Sequence, residues 1–286
     1  MEKEKLTYAS YLKVPELLTL QKPLSSPVAH DELLFIITHQ AYELWFKQVI
    51  FELEAIIQFI DKDSWTDCFH LFNRVNHIFK VMILQIDVLE TMTAEDFNHF
   101  RSKLNPASGF QSGQFREFEL LVGVNPEQYA PFMKLDPEWK DRIQTRARLS
   151  TLRSAFVAAL TRHNLTAKTD PDSVRDAVVE IYRNRSRGEL RTLCENLIQI
   201  DEQTWLWRFR HLQMVERMIG MKPGTGGSLG AGYLETTLKK RLFPELWDAR
   251  TYMGGVDRPE YGSLRNKALT GLPSAPVKRK GTAKRS

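Results

Sequence analysis

The stretch from 30 to 60, "HDELLFIITHQAYELWFKQVIFELEAIIQFI", decides the fold class. Apolar residues recur every three or four positions for about eight turns of helix. Asp31 and Glu32 stand at its head, where acidic side chains favour a helix start. The period continues on both sides of a short break. "SWTDCFHLFNRVNHIFKVMILQIDVLETM" (64 to 92) predicts a second long helix. "TAEDFNHFRSKL" (93 to 104) opens on Thr93 with Asp96 three residues on, the pattern of a capping box. "NPASG" interrupts, and "FQSGQFREFELLVG" (110 to 123) resumes helix up to a glycine.

Helix also accounts for the second half. "DPEWKDRIQTRARLSTLRSAFVAALTRHN" predicts a partly exposed helical stretch, and 170 to 186 a helix with Pro171 in its first turn. A last long helix spans about 187 to 219. No period-2 run, Asn-Gly hairpin or internal repeat appears. The expectation is an all-α fold of long antiparallel helices forming a bundle.

A chain of 286 residues can bury roughly 75% of the surface it exposes when unfolded. Cys68 and Cys194 form no CxxC or CxxCH pattern, which argues against a disulfide scaffold, a zinc ribbon and covalently attached haem. No apolar run approaches the ~18 residues of a membrane span, and no signal core opens the chain. The setting expected is a reducing cytoplasm. The net charge is +5, yet 263 to 286 carries seven Lys or Arg and no acid, so the remainder stands at −2. That basic tail is expected to be disordered, and no nucleic-acid module is visible. The domain expected is therefore one unit, 1 to 262, followed by the tail.

On the last helix, Leu193, Leu197, Ile200, Thr204, Trp207, His211, Met214 and Met218 fall on one face. His211 has two readings: a hydrogen-bonded core histidine, or a ligand to a cofactor metal. A lone histidine cannot hold zinc, but it can hold haem iron, because the porphyrin supplies four nitrogens. The loop after it has glycines at 220, 224, 226, 227 and 230. It follows a helix rather than a strand, so a phosphate fingerprint is discounted. A helix cap with linker remains open beside a backbone that passes close to a flat ligand, with Thr225 at its centre.

Two pairs share an i, i+4 spacing: Phe35 with His39, and Phe97 with Arg101. Each sets an aromatic ring beside a polar group. The rings could stack on a planar substrate, Arg101 could take a carboxylate, and His39 could meet a ring N–H. Core packing with a surface arginine is the plainer alternative. No nucleophile elbow, HExxH or paired Glu-x-x-His appears.

"HDELLFIITHQAYELWFKQ", "ETMTAEDFNHFRSKLNPASGFQS", "WRFRHLQMVERMIG" and "GTGGSLG", in this order, resemble tryptophan 2,3-dioxygenases. The likeness begins at "LTYASYL" (6 to 12), ends near "FPELWDART" (243 to 251) and is patchy between 124 and 190. The resemblance implies a haem b enzyme that uses O2 to open the indole of L-tryptophan, giving N-formyl-L-kynurenine. It implies His211 as the axial ligand, His39 beside the indole N–H, and Phe35 and Phe97 flanking the ring. Arg101 would clamp the carboxylate, Thr225 the ammonium, and Ser108 would lie near the haem. The loop around Thr225 is expected to close over the site. The assembly implied is a homotetramer in which Tyr8, Tyr11 and Leu12, within a segment of residues 1 to 20, insert into a neighbouring subunit's pocket. Two other functions remain open: a related haem oxygenase acting on a substituted tryptophan or a tyrosine, and a helical binding protein without haem. Gly113 departs from the family, which more usually has a larger apolar residue there, and a small gap is expected beside it.

Overall fold

The computed structural model describes residues 6–125, 137–225 and 230–254. Among them are twelve α-helices and no strand, so the all-α expectation holds. Three long helices dominate: α3 (Glu32–Asp61), α4 (Trp65–Leu89) and α10 (Gly188–Ile219). The others are α1 (Tyr8–Leu12), α2 (Val14–Leu17), α5 (Ala94–Arg101), α6 (Gly113–Val122), α7 (Pro137–Arg146), α8 (Leu152–Arg162), α9 (Pro171–Arg183), α11 (Ala231–Thr237) and α12 (Pro244–Thr251). The basic tail expected over 263 to 286, and residues 226 to 229 of the glycine loop, lie outside the described residues.

Sequence signals end the helices where expected. Thr93 and Asp96 make the reciprocal capping bonds that open α5. Gly123, at φ 109°, closes α6 in the left-handed region. Asp170 accepts from the Ser173 N–H at 3.0 Å, and Pro171 takes the first position of α9. The helical stretch expected over 136 to 164 is two helices, α7 and α8. Thr151 caps a new start with Ser154, and the chain breaks between α7 and α8. Glu32 does more than favour a helix start. Its buried carboxylate accepts from the Leu24 and Ser25 N–H groups at 2.6 and 3.0 Å, pinning the preceding segment to α3.

Direction follows from cross-helix bonds. Tyr42 donates to the Met82 carbonyl at 2.8 Å and Gln85 to the Thr38 carbonyl at 2.7 Å, so α3 and α4 are antiparallel. Asn76 meets Gln199, and Arg210 meets Asp87 and Glu90, so α4 and α10 run parallel. The long connection through α5 to α9 permits that parallel pair. One apolar cluster, from Phe46 on α3 to Ala249 on α12, fills the space between them. Each fully buried Leu, Ile or Phe contributes roughly 1.5 to 3 kcal/mol. The predicted stripe of α10 is buried at Leu193, Leu197, Ile200, Thr204, Met214 and Met218. Trp207 and His211, on the same stripe, are only partly covered, because a cavity opens there.

Candidate active site

The cavity encloses about 560 Å³ between α3, α5, α6, α10 and α11. Phe35, His39, Phe97, Arg101, Ser108, His211 and Thr225 all line it. Residues drawn from five separate stretches of sequence therefore converge. Tyr8, Tyr11 and Leu12 do not line it. They stand 79%, 72% and 45% exposed on α1.

Helix geometry explains the convergence. Because α3 runs antiparallel to α10, Tyr42 and Phe46 pack edge-on against Trp207, with centroids 6.2 and 5.8 Å away. One turn back along α3 is His39, and one turn forward along α10 is His211. The two imidazoles thus share the cavity. The Trp207 indole lies parallel to the His211 ring, at 5.5 Å and 2°. Phe115 flanks the indole at 5.1 Å, so the Trp207 plane is held from three sides.

His211 is not a hydrogen-bonded core histidine. Among the described residues no hydrogen-bond partner takes either ring nitrogen, and the ring, stacked on the Trp207 indole, borders the cavity. Burial, reinforced by the nearby His39, lowers its pKa to about 4. The ring is neutral at neutral pH and keeps a lone pair for a ligand.

Burial also lowers the pKa of His39, against the opposing pull of the Phe35 carbonyl and Glu43. Its Nδ1 lies 2.7 Å from the Phe35 carbonyl oxygen. In the neutral ring that carbonyl claims the Nδ1–H, so Nε2 is an acceptor. Phe35 lies tilted against His39 at 4.0 Å and stacks on Phe97 at 5.7 Å, with Phe100 edge-on to both phenylalanines.

The glycine loop is tied to the α5 end of the cavity at two points. Arg101 Nη2–H donates to the Pro223 carbonyl at 2.5 Å, and the Thr225 hydroxyl to the Ala107 carbonyl at 2.6 Å. Glycine is required at the loop's end. Gly230 has φ 59°, and a Cβ there would sit 2.6 Å from the Lys222 carbonyl oxygen. Ser108 caps the short 3-10 helix Gly109–Gln111, accepting from the Phe110 N–H at 3.4 Å.

Sequence reading did not single out Tyr42, Phe46, Glu43, Arg116, Glu119, Arg208 or α11, all of which contribute to the lining. Tyr42 and Phe46 continue the i, i+3/i+4 row from His39, and Arg208 precedes His211 by three. That row was the available signal. For α11, a seven-residue helix after a glycine loop, there was none. The gap expected beside Gly113 is filled: the Trp139 indole packs onto the bare Cα, where a Cβ would come within 1.9 Å of the ring.

The residues suit a haem. A neutral, unbonded imidazole faces a cavity with aromatic walls, and arginines stand at its polar margins. Among the described residues no group of three or more His, Cys, Asp or Glu could hold a metal ion, so a ligand that brings its own donors fits better. No described helix is long and apolar enough to cross a membrane.

A family model described as tryptophan 2,3-dioxygenase matches residues 1–169 and 164–253. The chain is 45% identical over 254 residues to a tryptophan 2,3-dioxygenase of Nocardioides sp. (strain JS614), covering 86% of this chain and 94% of that one. It is 38% identical over 272 residues to those of Xanthomonas campestris pv. campestris and Xanthomonas oryzae pv. oryzae, with 91% of this chain and 91% and 92% of theirs covered. With the two imidazoles, the stacked phenylalanines and Arg101 around one cavity, and a match that spans most of its length, the chain belongs to the tryptophan 2,3-dioxygenase family.

Proposed function

We propose that the chain is a haem-dependent dioxygenase that inserts O2 across the C2–C3 bond of L-tryptophan, giving N-formyl-L-kynurenine, the first step of tryptophan breakdown through kynurenine. The observation that carries this reading is the sharing of one cavity by His211, His39, the Phe35–Phe97 stack and Arg101.

His211 would hold haem b through its neutral imidazole, with the Trp207 plane fixing the ring. Bound haem would supply the iron at which O2 is activated. The protein does the rest by binding and orientation. His39 Nε2, the acceptor left by the Phe35 carbonyl, receives the indole N–H and so sets the ring's height in the cavity. Phe35 and Phe97 flank the indole and exclude water. Arg101 spends one N–H on Pro223 and keeps others on its guanidinium for the substrate carboxylate. Thr225 donates its proton to Ala107, which leaves its oxygen to accept from the substrate ammonium. Such charge-assisted contacts contribute roughly 1.5 to 3 kcal/mol each.

The same reading takes residues 1 to 262 as one catalytic domain of a cytoplasmic homotetramer. The exposed Tyr8, Tyr11 and Leu12 favour docking of the N-terminal segment on a neighbouring subunit. So does a stripe of exposed Ile37, Leu44 and Phe51, spaced by sevens along α3.

The test is turnover of L-tryptophan by reduced, haem-loaded protein under isotopically labelled O2. Two labelled atoms in one ring-opened product are expected. One labelled atom would instead indicate a hydroxylating relative, and protein that gives no Soret band with haemin would point to a binding protein.

A further inference from the structure

The segment that joins the N-terminal arm to α3 is zipped to the first turns of that helix. Glu32, 1% exposed, accepts from the Leu24 and Ser25 N–H groups at 2.6 and 3.0 Å and from the Ser25 hydroxyl. About two turns on, Gln40 makes a second tie. Its amide donates to the Leu20 carbonyl at 3.2 Å and accepts from the Gln21 amide at 2.6 Å. Four residues of extended chain, Leu20 to Leu24, span about 13 Å. The eight residues of α3 from Glu32 to Gln40 span about 12 Å. The two lengths agree, so this stem lies antiparallel to α3 in one register.

The stem faces two ways. Phe35 and His39 lie on the stretch of α3 that it covers, and Ala29, whose N–H donates to the Ser25 hydroxyl oxygen at 2.8 Å, packs on the cluster that holds Phe35 and Phe97. At its other end the chain runs back into α2 and α1, where Tyr8, Tyr11, Leu12 and Leu18 stand exposed. An acid that only favoured the start of α3 would do so from the surface. Burying it is costly unless donors meet it. Glu32 is buried by the stem, and its donors belong to the stem.

We propose that Glu32, assisted by Gln40, is the positioning residue of the N-terminal arm: it fixes the stem on α3 level with Phe35 and His39, and so sets the reach of Tyr8, Tyr11 and Leu12 into the cavity of a second copy of this chain. This rests on the reading that the arm docks on a neighbouring subunit. With the stem zipped, nine residues separate Tyr11 from the tie at Leu20; with it released, twenty-one separate Tyr11 from Glu32. The effective concentration of a tethered group falls roughly as the −3/2 power of tether length, here about fourfold. The Gln40 amide is half-buried, and neutral bonds of that kind hold weakly by themselves. The buried carboxylate therefore carries the register, and Gln40 completes it.

The experiment is a variant cycle on the full haem-loaded chain, with Glu32→Gln on one side and a tip variant, Tyr8→Ala, Tyr11→Ala and Leu12→Ala together, on the other. The tip variant should raise KM for L-tryptophan about tenfold or more. Glu32→Gln should raise it about fourfold, with kcat within about twofold and haem content unchanged. Added to the tip variant, Glu32→Gln should raise KM by less than about 1.5-fold, because no tip remains to be placed. A carboxylate that merely stabilised α3 would exert its full effect in both chains. Gln40→Ala cuts only the upper tie, from a half-buried position, and alanine keeps the helix, so it should fold whatever Glu32→Gln does. It lengthens the tether to Leu24 and should raise KM about twofold, again only where the tip is intact. Wild-type KM in both stem variants, or effects that multiply in full with the tip variant, would overturn the anchor and leave the arm reading standing. Wild-type KM in the tip variant would remove the arm reading and this proposal with it.

Discussion

Arg101 donates to the Pro223 carbonyl at 2.5 Å, joining the end of α5 to the glycine loop across 122 residues of chain. The proposed substrate clamp is thus also the fastener of the loop that follows the His211 helix. Arg101→Ala should raise KM for L-tryptophan by about 10- to 100-fold, the loss of one or two charge-assisted bonds. Haem content should be unchanged. A variant with wild-type KM would rule out the clamp.

His211→Ala removes the one imidazole on α10 that faces the cavity. Alanine is the best helix former, so the helix persists. The expected outcome is wild-type far-UV circular dichroism with no haem retained through purification. Haem at normal stoichiometry in this variant would defeat the ligand assignment.

Acid should destabilise the haem-free chain through the same residue. An unfolded imidazole takes up a proton near pH 6.5. Folded His211 does so only at about 4. Between those values the unfolded state binds more protons, so stability is full above the upper value and falls as pH drops through the window. The loss attributable to His211 should be about 2 kcal/mol between pH 7 and pH 5. His39, shifted in the same direction, adds to it. Urea midpoints at the two pH values give the measurement, and His211→Gln should show a clearly smaller fall. Parallel pH dependence in wild type and variant would contradict this assignment.

Gly113 opens α6, and the Trp139 indole rests on its Cα. Arg142 in turn stacks on that indole at 5.0 Å. Gly113→Leu should displace the tryptophan and cost about 1 to 3 kcal/mol. Its fluorescence should shift with the loss. Trp139→Ala in the same chain should recover most of the stability, because it empties the space the leucine needs. Full stability of Gly113→Leu alone would show that the indole is not lodged there.

The sequence carried most of the secondary structure. Apolar residues at 3.6-residue spacing are a local record of burial, so the long helices were legible from 30 to 92 and from 187 to 219. Capping is local too, and Thr93–Asp96 and Gly123 ended helices as read. The break before α8 was missed because Thr151 lies inside a stretch whose composition favours helix on both sides. Gly113 was read as leaving a gap, because nothing near it in sequence announces Trp139.

The two readings of His211 show where sequence stops. Spacing placed it on the buried stripe of α10, and a core histidine would occupy the same position. Only the tertiary structure shows that the stripe faces a cavity there, that no described residue takes either ring nitrogen, and that His39 shares the same cavity. The sequence by itself determined the helices and their apolar faces, because those depend on neighbours within a turn or two. The meeting of α3, α5, α6, α10 and the glycine loop around one space, and the charge on its wall, were decided by tertiary packing. Such contacts join residues more than a hundred positions apart, and no local period records them.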